Sequence, residues 1–284
     1  MSDTAAPGTG VDGCREVGQG DSVAVLSVLE ADPLVAAPAA EKFASSGVLA
    51  GPDGRFLTRG SPERSLVFVG NSVLPLRGDI TDLRTLGDAV GTLGTGPMSV
   101  HGRRDQVAAL WPALSARWGE SREYRAAQFL MAMRGPVDAA LVVPGIRPAT
   151  LHEFDPVLLA AAAMYREELR ADPFAVGGGI PFRRRVARSI ARGRTWVGCD
   201  DGEVFFKADV AAITPAVAQV QGVWVHPRLR GEGLGAGGTA AVCAALQSRG
   251  LIPSLVVNAS NSAARAAYRR VGMVDVVDYA TVLL

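Results

Sequence analysis

The residues with the clearest chemistry lie between Gln221 and Gly238. A strand end, Gln221-Gly222-Val223-Trp224-Val225, turns at His226-Pro227. It passes Arg228-Leu229-Arg230 into a glycine-rich helix start, Gly231-Glu232-Gly233-Leu234-Gly235-Ala236-Gly237-Gly238. Arg230, Gly233 and Gly235 form the pattern Arg-x-x-Gly-x-Gly. Such a segment makes an anion site. The first turn of a helix offers unpartnered backbone N–H groups and the positive end of the helix dipole. Glycines let a diphosphate approach the backbone closely. Arg228 and Arg230 add mobile positive charge.

Other phosphate loops fit less well. A P-loop needs Gly-Lys-Ser/Thr after its glycines, and Gly237-Gly238-Thr239 lacks the lysine. Gly233, Gly235 and Gly238 match the letters of the dinucleotide fingerprint Gly-x-Gly-x-x-Gly. That fingerprint should open a series of βαβ units and be followed by a strand ending in an acid. Here the next strand ends in Asn258. A kinase glycine loop joins two strands, not a strand and a helix. A glycine-rich turn with no ligand would leave the two arginines at the helix start without a purpose.

A second segment belongs with the first: Val257-Asn258, then Asn261, Tyr268 and Gly272-Met273. Taken together, the two segments resemble the GNAT N-acyltransferase superfamily. The first is similar to its acetyl-CoA-binding motif. The second is similar to its strand–Asn–helix–Tyr–Gly-aromatic signature, with Met273 where Phe is usual. The resemblance covers about residues 146–284.

The resemblance implies an acetyl-CoA-dependent N-acetyltransferase acting on a primary amine. Trp224 and Val225 would lie along the pantetheine arm. The amides from Arg230 through Gly231, Glu232, Gly233, Leu234 and Gly235 to Ala236 would hold the pyrophosphate. Asn261 matches the family's cofactor-contacting asparagine, and it can equally cap a helix. Tyr268 matches the tyrosine that protonates the leaving CoA thiolate; the plainer reading is an aromatic packed on the sheet. The Val225 N–H is placed to polarise the thioester carbonyl. Glu203 is taken as the general base, with Asp209, Glu167 and Glu168 as alternatives. His226 reads as a turn residue. Arg183-Arg184-Arg185 reads as a solvated helix face, or as a receiver of an acidic acceptor or of the CoA 3′-phosphate. The second functional reading is a CoA-binding sensor or regulatory module without turnover.

The elements that must position these residues follow from periodicity. Helices are expected over Phe154–Leu169, Phe182–Arg192, Gly233–Arg249 and Ser262–Val271. Strands are expected over Thr195–Cys199, Val204–Ala208, Val217–Val225, Ser254–Asn258 and Val274–Leu284, the last kinked near Asp278. The order β-α-α-β-β-β-α-β-α-β is mixed α/β around one central sheet. Upstream, helices are expected near Val23–Leu29, Ala36–Ser46, Leu83–Val90 and Arg104–Trp118. Strands are expected at Ser65–Val69, Val73–Leu76, Met98–His101, Ala126–Arg134 and Ala139–Val143. This half has no arginine–glycine series, yet Met98–Gly102 and the helix after it repeat the strand–turn–helix form. It is similar in organisation to a degenerate GNAT-like lobe, giving tandem lobes; the alternative is an unrelated α/β regulatory lobe. The expected domains are a disordered tail over 1–22, an N-terminal α/β lobe over 23–145 and the acetyltransferase domain over 146–284.

Composition closes off other classes. The chain has 284 residues, 48% hydrophobic and 20% charged, enough apolar material for a core. The net charge of +1 gives no polyelectrolyte argument for nucleic acid or an anionic membrane. The longest apolar run, Val157–Tyr165, falls far short of a membrane helix, and the start carries no signal pattern. Cys14, Cys199, Cys243 and the three histidines are scattered, so no metal is expected. The reading is a cytoplasmic protein with oligomeric state open. Only Lys42 and Lys207 among the 29 basic residues are lysine.

Overall fold

The computed structural model describes residues 11–48, 51, 54–93, 96–175 and 177–284. The chain divides into two compact units. The first comprises residues up to Leu130, with Asn258–Ser260 and Asp275–Leu284; the second comprises Met131–Val257 and Asn261–Val274.

In the first unit the chain runs through β1 (Cys14–Glu16), α1 (Ser22–Ala31) and α2 (Pro33–Ser46). The strands β2 (Arg55–Arg59), β3 (Leu66–Val69) and β4 (Ser72–Arg77) follow. Then come α3 (Ile80–Gly91), β5 (Ser99–Arg103), α4 (Arg104–Trp118) and β6 (Glu123–Met133), the last ending in the second unit. Strands β1 to β4 pair antiparallel in order. β4 and β5 are parallel. α3 and α4 bury Leu83, Leu86, Val90, Val107, Leu110 and Leu114 against Val73 and Val100. The 3.6-residue spacing of these apolar positions makes the helices amphipathic.

The second unit begins with β7 (Arg147–Pro148), α5 (Phe154–Leu169) and α6 (Ile180–Ala191). It continues through β8 (Thr195–Asp200), β9 (Glu203–Ile213), β10 (Val217–Val225), α7 (Leu234–Gln247), β11 (Ile252–Asn258) and α8 (Ser262–Val271). β12 (Met273–Leu283) closes the chain. Strands β7 to β10 are antiparallel neighbours. β10 and β11 are parallel. α5 and α6 lay Val157, Leu158, Ala161, Phe182, Val186 and Ile190 on Val197, Val204 and Trp224. The expected order β-α-α-β-β-β-α-β-α-β is found here, and the first half repeats it from β1 to β6. Mixed α/β architecture in two GNAT-like lobes is therefore what the chain forms.

Several expectations need correction. Part of the expected 1–22 tail is ordered. Cys14–Glu16 pairs with Leu57–Arg59, and Cys14 and Val17 are buried beneath that strand; residues 1–10 lie outside the described residues. Ala139–Val143 is not a strand. Its first residues form a 3₁₀ turn, Ala139–Leu141, and Val143 donates its N–H to Gly237 on α7. The apolar run covers a helix rather than joining a sheet. β2 had no expected counterpart. α2 starts at Pro33, ahead of the expected Ala36, and continues through Pro38, burying Val35, Ala36, Ala37 and Ala39. The expected kink near Asp278 is also missing, since β12 runs through it. The unit boundary falls at Leu130/Met131 rather than 145/146. Residues from Asp275 count with the first unit because Tyr279–Leu283 pairs with Ser99–Arg103.

Candidate active site

The site begins with two strands that part. β10 and β11 pair only over Val217–Val220 and Ile252–Leu255. β10 then continues to Val225 and β11 to Asn258 without a shared register. The parting coincides with a bulge. Against β9, Gln221 faces Asp209 and Trp224 faces Lys207, so Gly222 and Val223 oppose the single residue Ala208. Gly222 has φ +57, a left-handed value that favours glycine. A Cβ there would sit 2.9 Å from Met164 Sδ of α5. The backbone of β10 is thereby turned away from β11, leaving its polar groups beyond Val220 for another partner.

Four of the five glycines between Gly231 and Gly238 fall into two sets, with Gly235, whose Cβ would meet only Val225 Cγ2 at 3.7 Å, between them. Gly231 and Gly233 have φ of +86 and +83, and nothing lies within 4 Å of where their Cβ would be. Gly233 caps α7 in the left-handed conformation. The amides of Leu234, Gly235 and Ala236, the first three of α7, lack intrahelical acceptors by helix geometry. Gly237 and Gly238 serve packing instead. A Cβ on Gly237 would lie 2.4 Å from Val143, and one on Gly238 would lie 2.4 Å from the Phe206 ring. The first set forms the open cradle that a diphosphate needs.

Arg230, which precedes that cradle in sequence, is held against β10 and α5. Its Nε donates to the Val225 carbonyl at 3.1 Å, and its terminal nitrogen donates to Glu167 Oε2 at 2.7 Å. Glu167 Oε1 also accepts from the Trp224 indole at 3.4 Å. A guanidinium has five donors, so this latch leaves others for an anion. His226 Nδ1 accepts from the Arg228 amide at 3.3 Å, which fixes His226 in the turn as expected.

Asn261 caps α8, its Oδ1 accepting from the Ala264 amide at 3.1 Å; its side-chain amide N–H groups remain on the exposed side. Tyr268, one turn from the end of α8, is buried. Burial raises its phenol well above the usual tyrosine range, and Glu168 and Cys243 push the same way. The phenol is thus a neutral proton donor at physiological pH. Cys243 is core, its thiol pushed up to about 12 by burial. Glu203 opens β9 opposite Asp200, exposed at the hairpin tip. It lies beyond the Phe206–Val225 pair that ends the β9–β10 register.

Beneath the bulge is a polar group the sequence did not single out as a unit. Lys207 is buried and ion-paired with Asp209 at 2.5 Å. Asp209 also accepts from the Thr195 hydroxyl at 2.8 Å, and the Ser189 hydroxyl is 2.8 Å from that of Thr195. The available signal was that Lys207 is one of two lysines in an arginine-rich chain.

The matching position in the first unit is filled from within. Asp79 caps α3 and accepts from the Asp82 amide at 2.8 Å. Asp82, 2% exposed, is bound by Arg59 and Arg64 at 2.8 and 3.0 Å. Those arginines hold its carboxyl below the usual aspartate range, the Arg64 hydrogen bond contributing most. Carboxylates thus occupy the helix start where a diphosphate would have to bind.

Residues 161–273 match the Acetyltransferase (GNAT) family. The chain carries a GNAT domain. For those residues the match implies acyl transfer from an acyl-CoA. Residues 54–157, ahead of the GNAT domain, match a family described as Domain of unknown function (DUF4081). No curated protein matches the chain. Among solved structures, the chain is similar to a GCN5-related N-acetyltransferase from Sphaerobacter thermophilus. The two share 18% identity at a TM-score of 0.57, over 94% of this chain and 93% of that one. A tandem GNAT protein from the clavulanic acid biosynthesis pathway aligns at 16% identity and TM-score 0.52, over 95% and 98%. A GNAT-family acetyltransferase from Colwellia psychrerythraea aligns at 11% and 0.52, over 95% and 99%. At these identities the likeness is one of fold. Among the described residues no helix is long and apolar enough to cross a membrane, and no group of three or more His, Cys, Asp or Glu could hold a metal ion.

Proposed function

We propose that the GNAT domain transfers the acetyl group of acetyl-CoA to a primary amine by direct attack on the thioester. The observation that carries this reading is the parting of β10 from β11 beside the open glycine cradle. The pantetheine arm pairs with the freed edge at Trp224 and Val225. The amides from Arg230 to Ala236 take the diphosphate, and Asn261 adds its free amide. The amine's nitrogen forms the new C–N bond as the C–S bond breaks. The Val225 N–H steadies the charge on the carbonyl oxygen. Tyr268 gives its proton to the departing thiolate.

The amine must shed a proton to a base near the same centre. Glu203 stands at the hairpin tip. Glu203 is the candidate base, and Glu168 of α5, whose charge adds to the raised pKa of Tyr268, is the alternative. Glu167, the neighbour of Glu168, acts through Arg230. Glu167→Gln is expected to raise KM for acetyl-CoA about threefold to tenfold, in keeping with one partly exposed charged hydrogen bond, and to leave kcat within about twofold. A collapse of kcat at constant KM, measured in steady-state kinetics, would instead make Glu167 the base.

The overall reading is tested by thermal stabilisation and CoA release with a panel of amines. Acetyl-CoA should stabilise the protein where ATP and NAD do not, and at least one amine should release CoA. Stabilisation without turnover favours the sensor reading; no stabilisation removes the CoA site altogether. Gly235→Val locates it. The nearest atom to a Cβ there is Val225 Cγ2 at 3.7 Å, so the chain itself tolerates the first carbon. The added methyls point at the diphosphate approach, and affinity should fall about tenfold or more through lost charge-assisted contacts. Unchanged affinity by calorimetry would refute the placement.

A further inference from the structure

Between Asp172 and Asp200 the chain has six arginines and no acidic residue. Five of them, Arg183, Arg184, Arg185, Arg188 and Arg192, are exposed on or just after α6. Among the described residues none of the five meets a carboxylate, whereas arginines elsewhere, such as Arg15, Arg59, Arg147 and Arg230, are ion-paired.

Two of the five are gathered with Arg166 around an aromatic group. The guanidinium carbons of Arg166 and Arg183 lie 5.5 and 5.3 Å from the centroid of Phe174. Arg185 lies 5.1 Å from Phe182 and 5.8 Å from Tyr165. The rings stack edge to face, Tyr165 on Phe182 at 5.5 Å and Phe174 on Phe182 at 5.7 Å. The connection from α5 to α6 is shaped for this. Gly179 has φ +76, and a Cβ on it would meet the Phe174 ring at 2.3 Å. Phe174 is wedged in place, and a guanidinium lying over a ring face can still donate its N–H groups to an anion.

Bringing three like charges to one aromatic group costs energy that a single anion would recover. Asp172 accepts from Arg166 at 3.0 Å and from the Phe174 amide at 3.4 Å, and reaches neither Arg183 nor Arg185. The position is also informative: α5 carries both Arg166 and Glu167, and Glu167 touches Trp224 and Arg230 of the proposed site. We propose that Arg166, Arg183 and Arg185 bind an anionic group, a carboxylate or a phosphate, carried by the amine acceptor. This rests on the acetyltransferase reading above. Three guanidiniums carried on one group of packed rings suit a small anion. A long polyanion would need a wider positive field than a net charge of +1 provides.

The test compares matched acceptors on the full chain: ethanolamine with O-phosphoethanolamine, and phenethylamine with phenylalanine. The anionic member of at least one pair should have a kcat/KM about tenfold higher, the size of one charge-assisted bidentate contact. Which pair responds separates phosphate from carboxylate. The ratio should fall towards one in Arg183→Ala and Arg185→Ala, mainly through KM, and persist in Arg192→Ala. A ratio near one in the wild type, or one that survives both cluster variants, overturns the proposal. If no amine is turned over, the acetyltransferase reading fails on its own. Calorimetric titration with O-phosphoethanolamine and phenylalanine then decides the anion site: binding lost in Arg183→Ala upholds it, and no binding overturns it. Duplex DNA binding weakened equally by Arg183→Ala, Arg188→Ala and Arg192→Ala, with the amine ratios unmoved, would assign the arginines to a polyanion and also overturn it.

Discussion

Replacing Tyr268 by Phe is expected to lower kcat about a hundredfold or more while leaving acetyl-CoA affinity within about threefold, as for loss of a general acid. The substitution removes one oxygen and keeps the ring. The packing of the buried side chain beneath α8 survives, so stability should change little. Chemistry suffers because a thiolate is a poor leaving group unless it is protonated as it departs, and burial keeps the phenol protonated. The sign of the pH response follows. A proton donor must be in its acid form, so activity is retained as pH rises until the raised phenol pKa is reached. Tyr268 therefore cannot produce a fall in activity near neutrality. A basic limb at the ordinary tyrosine value, or a variant with unchanged kcat and a lowered melting temperature, would reduce Tyr268 to a packing residue.

Lys207→Ala should cost the largest amount of stability of any single change in the site, about 3–5 kcal/mol, the range for removing one member of a buried ion pair. The lysine is 1% exposed and Asp209 side-chain exposure is 19%. Without the ammonium the carboxylate keeps only the Thr195 hydroxyl among its two contacts. Urea unfolding would show the loss as a lowered midpoint at constant slope. The same change should weaken acetyl-CoA binding, because Asp209 Oδ2 lies 3.4 Å from where a Cβ on Gly222 would be and supports the bulge. A loss below about 1 kcal/mol, the level of an exposed pair, would mean that the pair is solvated in solution.

Legibility in the sequence divided along physical lines. The α5, α6 and α8 segments were readable because a long stretch repeats its apolar residues at helical spacing. The cradle was readable because Gly233, Gly235 and Arg230 have one economical purpose together. Glycine identity alone did not show that Gly237 and Gly238 pack on Val143 and Phe206; that depends on what crosses above them. β1 is three residues long and carries no pattern. The Arg230–Glu167–Trp224 latch joins residues up to 63 positions apart, and the Lys207–Asp209 pair looks like any alternating strand until burial is known. Arg183 and Arg185 read as a solvated face for the same reason. The aromatic group beneath them is assembled from α5, α6 and the turn between them.

The pairing of Tyr279–Leu283 with Ser99–Arg103 has a consequence for biosynthesis. Ala280 and Val282 belong to the same buried group as Val100 and Leu110. Domains commonly fold in order as they leave the ribosome, at roughly 5–20 residues per second. Here the segment that closes the first unit is made only after the whole GNAT domain. That unit must wait, with the β5 edge unpaired, for the whole of the GNAT domain to be synthesised. A nascent chain halted before residue 275 would carry an open strand edge, and a chaperone that shields such edges would have its longest task on the half of the protein that is translated first.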